Sequence, residues 1–161
     1  MTTPLGRILF AEDSPLDVEM TLAALEEHRI ANEVVVVSDG QEAIDYLTCT
    51  GSFAGRSDGN PILVLLDLKM PRVNGLEVLH VIKQDERLRA IPVVMLTSSR
   101  EEPDLVRSYQ LGVNAYIVKP VDVPSFIDAV KQLGIFWAIH NALPRAASAG
   151  ASNPPPPATT T

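Results

Sequence analysis

The run Ile62-Leu63-Val64-Leu65-Leu66, closed by Asp67, admits few surroundings. Five aliphatic residues in succession offer no polar face, so a strand made of them has to be covered on both sides, as inside a parallel sheet. Met70-Pro71 follows closely, and a regular ladder cannot continue through it. A carboxylate at the C-terminal end of such a strand stands on the edge where open α/β sheets place their chemistry. Asp67 is therefore the first candidate functional residue, read as a nucleophile.

The rest of the chain falls into step with that strand. Arg7 to Ala11 reads as a short buried strand ending in Glu12-Asp13. Ser14-Pro15-Leu16-Asp17 then opens a helix, with Ser14 as cap, Pro15 at the first helical position and Asp17 completing a box-like pattern. Val18, Thr21, Leu22 and Leu25 supply its inward stripe. Val34 to Val37 is a second strand, and Asp39-Gly40-Gln41-Glu42 caps a helix that buries Ala43, Ile44 and Leu47. Cys49 to Asn60, with three glycines, reads as a loop, long beside the usual α/β connection of about 2–6 residues. Asn74-Gly75-Leu76-Glu77 starts a helix carrying Leu79 and Ile82 inward, and Pro92 to Leu96 is a fourth strand ending at Thr97-Ser98-Ser99. A helix from about Glu102 to Leu111 is stopped by Gly112. Ala115 to Val118 is the fifth strand, ending at Lys119-Pro120, and a last helix begins near Asp122 with Val123, Phe126, Ile127, Val130 and Leu133 on one face.

Strands that alternate with helix-length spacers mean βαβ units: an α/β fold with a doubly wound parallel sheet and helices on both faces. From Pro144 the composition turns to Ala, Ser, Pro and Thr, including Pro154 to Pro157, from which no core can be built. The expected organisation is one folded domain over 1–143 and a disordered tail over 144–161.

Charge narrows the function classes. Thirteen basic against 20 acidic residues give a net charge of −7, with no basic block, which argues against nucleic acid as a partner. The lone Cys49 cannot form an internal disulfide, has no His or Cys nearby to suggest a metal, and reads as a small structural residue suited to a reducing compartment. Met1-Thr2-Thr3-Pro4 does not open a signal peptide, and no apolar run approaches the ~20 residues needed to span a bilayer. The expectation is a cytoplasmic protein without a membrane partner.

In a parallel sheet the C-terminal strand ends share one edge, so Glu12, Asp13, Asp67, Thr97 and Lys119 converge on one cleft. Each alone has a plainer reading. An Asp after a strand is commonly a turn or cap residue, Thr97 could cap the next helix, and Lys119 could simply face water. The joint occurrence in four segments is what favours a site. Clustered carboxylates repel one another, and a hard divalent cation such as Mg²⁺ relieves that repulsion while leaving room for waters and a phosphate. Lys119 would hold a phosphate oxygen as a point charge and the Thr97 hydroxyl would donate to another, giving an aspartyl phosphate on Asp67.

Glu12-Asp13, Asp67 with Met70-Pro71 and Gly75, Thr97-Ser98 and Lys119-Pro120 together resemble the receiver domain of two-component response regulators, over about Gly6 to Trp137. The resemblance implies a flavodoxin-like five-stranded sheet of order 2-1-3-4-5. It implies phosphoryl transfer from a sensor histidine kinase to Asp67, with Mg²⁺ bound by Asp13, Asp67 and the Lys69 backbone carbonyl, and Glu12 acting indirectly. Thr97 and Tyr116 would form the switch that changes a partner-binding surface for a downstream protein, and the Lys119-Pro120 bond would be cis. Base rates alone favour trans, since cis accounts for only about 5–6 % of X–Pro bonds. Such a chain catalyses only its own phosphorylation and dephosphorylation and is not otherwise an enzyme.

The long loop before the third strand and Phe136-Trp137 after the last helix are similar to the stand-alone regulators paired with bacterial phytochromes, which suits the expectation of no DNA-binding or enzymatic output domain. Ile135, Phe136, Trp137 and Ile139 carry apolar character past the last stripe. Two readings stay open there: a helix end packed on its own domain, or a homodimer or partner surface. Two other functions compete with this reading. A phosphatase resembling haloacid dehalogenases wants a second acid where Lys69 stands, and a degenerate receiver would lack the acid, hydroxyl and lysine set present here.

Overall fold

The computed structural model describes residues 6–27, 29–98, 110–113, 115–135 and 139. Within them lie the strands β1 (Ile8–Ala11), β2 (Val34–Val37), β3 (Leu63–Asp67), β4 (Val93–Thr97) and β5 (Ala115–Val118). The helices are α1 (Pro15–Glu27), α2 (Gly40–Thr48), α3 (Gly75–Gln84) and α4 (Val123–Gln132). The helix expected over about Glu102 to Leu111 lies, apart from Gln110 and Leu111, outside the described residues, as do Ser99, Phe136, Trp137 and the segment 140–161.

All four strand pairings are parallel, in the order β2-β1-β3-β4-β5. The flavodoxin-like order expected from the resemblance is the one observed. Strand side chains alternate between faces, and the two faces feed two cores. Leu9, Ala11, Val64, Leu66, Val93 and Met95 pack beneath α2 and α3, joined by Ala43, Leu47, Leu79 and Ile82. Ile8, Phe10, Leu63, Leu65, Val94, Leu96 and Ile117 pack beneath α1 and α4, joined by Leu25, Phe126 and Val130. Every residue of β3 is buried, as its uninterrupted apolar run requires. Phe10 and Phe126 are fully enclosed, each removing apolar surface worth roughly 1.5–3 kcal/mol from water.

Local sequence sets the helix starts. Ser14 Oγ accepts from Asp17 N–H at 3.2 Å, and Asp39 Oδ1 accepts from Glu42 N–H at 2.8 Å. Asn74 and Glu77 form a reciprocal capping box, and Asp122 accepts from Ser125 N–H at 2.8 Å. After α4, Ile139 is buried and Ile135 half-buried against the α1–α4 core, so these two positions serve the domain itself.

The loop over Cys49 to Asn60 is a built structure. It opens with a 3₁₀ turn, Gly51–Phe53, whose Phe53 ring meets Tyr46 edge-on at 5.0 Å. Arg56 lies over the Tyr46 ring with its guanidinium 4.0 Å from the centroid, donates to the Tyr46 carbonyl oxygen, and pairs with Asp58 at 2.8 Å. Arg7, just before β1, donates to the Gly59 carbonyl oxygen at 2.6 Å and pairs with Asp58 at 3.3 Å. This clamp sits at the N-terminal ends of β1 and β3, opposite the edge that gathers the acids.

Candidate functional site

Each side chain expected in the site stands at, or just past, a strand end. Past the end of β1, Glu12 N–H still donates to the Val37 carbonyl at 3.0 Å, which keeps Glu12 on the sheet edge with 1 % of its surface exposed. Asp13, one residue on, faces solvent. Asp67 is the last residue of β3 and Thr97 the last of β4, both buried. Lys119 N–H donates to the Thr97 carbonyl at 2.7 Å, which ties the fifth arm of the site to the fourth. The Lys119-Pro120 peptide is cis.

These residues line one cleft of about 200 Å³ together with Ser14, Asp17, Leu68, Lys69 and Ser98. Lys119 Nζ lies 3.2 Å from Asp67 Oδ1, 3.2 Å from Glu12 Oε1 and 2.9 Å from Asp17 Oδ2. Glu12, Asp13 and Asp67 each offer a carboxylate oxygen within 4.8 Å of the others. All five expected members of the constellation are therefore brought together, and Lys69 lines the same cleft. Tyr116 pairs in register with Met95, two positions before Thr97 on β4, so Tyr116 and Thr97 are diagonal neighbours on one face of the sheet. Tyr116 is half-buried.

The acids carry visible electrostatic strain. Burial pushes Glu12 up to about 7, helped by the neighbouring Asp67, against the opposing pull of Lys119. Burial also raises Asp67; Lys119 opposes that rise and Asp13 adds to it. Lys119 is held above its ordinary value by Asp17, then Asp67 and Glu12, in spite of its own burial. Four carboxylates line the cleft and three of them contact the Lys119 ammonium, so the donor set of hard oxygens fits a hard divalent cation, which would offset both the burial and the mutual repulsion that raise Glu12 and Asp67.

Two features escape a reading of the sequence. Asp17 looked like part of a helix cap, yet its side chain makes the shortest contact to Lys119, 102 residues away. Its available signal was position, on the first turn of the helix that leaves the acid pair. The loop from Asp67 to α3 is also pinned from behind. Arg72, at φ +64°, meets Asp39 with both oxygens at 2.8–3.0 Å. A Cβ at Gly75 would overlap the Asp67 carbonyl oxygen, and one at Gly40 would overlap that of Val73. Glycine at those positions lets α2 and α3 close directly onto the loop that carries Lys69.

A doubly wound sheet whose C-terminal edge collects paired acids, a buried aspartate, a hydroxyl and a lysine defines a receiver-type signalling domain. The response regulator receiver domain model matches residues 8–131, and the chain belongs to that family. It is similar to the solved structure of the bacteriophytochrome response regulator AtBRR, at 60 % identity and TM-score 0.81, covering 86 % of this chain and 99 % of that one. It is 37 % identical over 139 residues to response regulator Rcp1 of Synechocystis sp., covering 86 % of this chain and 93 % of Rcp1. A Mn²⁺-bound structure of Rcp1 matches at TM-score 0.68, with 36 % identity, over 86 % of this chain and 99 % of that one. The phosphorylated cyanobacterial phytochrome response regulator RcpA matches at TM-score 0.68 and 41 % identity, over 83 % of this chain and 94 % of that one. Among the described residues no helix is long and apolar enough to cross a membrane.

Proposed function

We infer that this chain is a phosphoryl-accepting response regulator in which Asp67 is the acceptor and a sensor histidine kinase the donor. The observation that carries this reading is Asp67 itself: a buried carboxylate 3.2 Å from the Lys119 ammonium, with Glu12 and Asp13 oxygens within 4.8 Å. The structures of phosphorylated RcpA and Mn²⁺-bound Rcp1 support it by similarity.

Asp13, Asp67 and the Lys69 carbonyl would hold a divalent cation, Mg²⁺ in our reading, with Glu12 reaching it through water; when bound it supplies charge neutralisation and orientation of the phosphoryl group. The chain's own residues do the remainder. A carboxylate oxygen of Asp67 attacks phosphorus as the N–P bond to the donor's imidazole breaks, the electron pair leaving with the nitrogen. The ammonium of Lys119 donates to one phosphoryl oxygen and the Thr97 hydroxyl to another. Drawing Thr97 toward the phosphoryl group opens space on the face it shares with Tyr116, and the ring follows, which alters the surface offered to a downstream protein. The likeness to bacteriophytochrome regulators favours a light-sensing kinase as donor. The receiver unit spans 1–143 in this reading, and 144–161 lie outside it.

Incubation with acetyl phosphate and Mg²⁺ should add one phosphoryl mass to the wild-type chain and none to Asp67→Asn. An unmodified wild type, beside a control receiver that reacts, would defeat the reading.

A further inference from the structure

Three carboxylates surround the three N–H donors of Lys119. Its Nζ sits 2.9 Å from Asp17 Oδ2, 3.2 Å from Glu12 Oε1 and 3.2 Å from Asp67 Oδ1. An ammonium has three donors and accepts nothing. A phosphoryl group on Asp67 brings three new oxygens, and for Lys119 to reach one of them an existing partner has to give way.

Burial decides which partner yields. The Glu12 side chain is 1 % exposed and also accepts from Ser14 N–H at 3.2 Å, so releasing it would strand a buried acid. Asp67 carries the incoming group and stays beside the ammonium. The Asp17 side chain is 30 % exposed on the first turn of α1, where water can replace the lost contact. Asp17 also lines the cleft, adding negative charge where an anionic phosphodonor must enter.

We propose that Asp17 is an exchangeable partner of Lys119: it occupies one ammonium donor in the unphosphorylated chain, surrenders it to the phosphoryl group, and so restrains the readiness of the site to accept one. Asp17 acts through Lys119 and is a positioning residue. The proposal rests on the reading of Asp67 as the acceptor.

Titration of the full chain with fluoroberyllate and Mg²⁺, followed by calorimetry, separates the two. Asp17→Asn and Asp17→Ser should bind this phosphoryl mimic about two- to fivefold tighter than wild type, the size expected for removing a partly exposed ionic competitor. Both should take a phosphoryl group from acetyl phosphate faster, and Asp17→Glu, which keeps the charge, should return toward wild type. A purely structural role at the start of α1 predicts weaker binding instead. Wild-type binding with equal or weaker binding by both neutral variants overturns the role of Asp17. Absence of binding by wild type itself overturns the Asp67 reading, and this inference with it.

Discussion

At the scale of single residues, the site is held together at an electrostatic cost that pH can expose. Glu12 is lifted from an ordinary value of 4.5 to about 7, first by burial and then by Asp67. A carboxyl group whose value is higher folded than unfolded binds more protons in the native state, so protonation favours the fold. Its contribution is complete below about 4.5 and is lost as pH rises through about 7. Asp67 shifts in the same direction and adds to the trend. Without divalent ions, the melting temperature of the wild type should fall between pH 5 and pH 8, and more steeply than that of Glu12→Gln, which cannot ionise. Added Mg²⁺ should flatten the wild-type curve most at the alkaline end. Equal slopes for the two proteins would remove Glu12 as the cause.

At the scale of elements, what the sequence disclosed and what it hid divide by the range of the interaction. The strands were legible because a buried strand writes an apolar run, and the caps Ser14, Asp39, Asn74 and Asp122 because each partner lies three residues away. The contact of Asp17 with Lys119 and that of Arg72 with Asp39 span distant segments, and no local pattern announces them. The cis Lys119-Pro120 bond was expected only through the family resemblance, because base rates point the other way. Glycines and polar residues made the stretch after α2 look loose, while the Arg56–Tyr46 stacking that organises it is set by tertiary contact. The same stretch begins with an element-level flaw. Cys49 ends α2 in the left-handed region at φ +57°, a conformation that favours glycine. Cys49→Gly should raise unfolding stability by about 0.5–1 kcal/mol, visible as a higher denaturant midpoint at unchanged slope. A lower midpoint would mean that the half-exposed thiol packs more than its exposure suggests.

At the scale of the whole molecule, the parallel sheet has two ends with different duties. The C-terminal end collects the carboxylates, Thr97 and Lys119, while the N-terminal end is closed by the clamp of Arg7, Tyr46, Arg56 and Asp58. Five residues of β3 separate them, roughly 16 Å at about 3.3 Å per residue, beyond the range at which substitutions usually couple. Arg56 is the centre of the clamp, its side chain 9 % exposed, stacked on Tyr46 and bonded to the carbonyl oxygens of Tyr46 and Gly59. Arg56→Ala removes the stacking and the hydrogen bonds to both carbonyls, leaving Gly59 with Arg7 alone and Tyr46 with Cys49 N–H alone, at a cost of about 2 kcal/mol, or a fall in melting temperature of roughly 5–10 °C. Arg56→Lys should recover only part of it, since an ammonium cannot stack and fork at once. Neither variant should change the Mg²⁺ affinity or the rate of phosphoryl uptake from acetyl phosphate at a temperature where both are folded. Arg72→Ala should do the opposite, weakening Mg²⁺ binding with a smaller loss of stability, because Arg72 braces the loop that carries Lys69. If Arg56→Ala disturbed the cleft as much as Arg72→Ala does, the two ends of the sheet would have to be treated as one coupled unit.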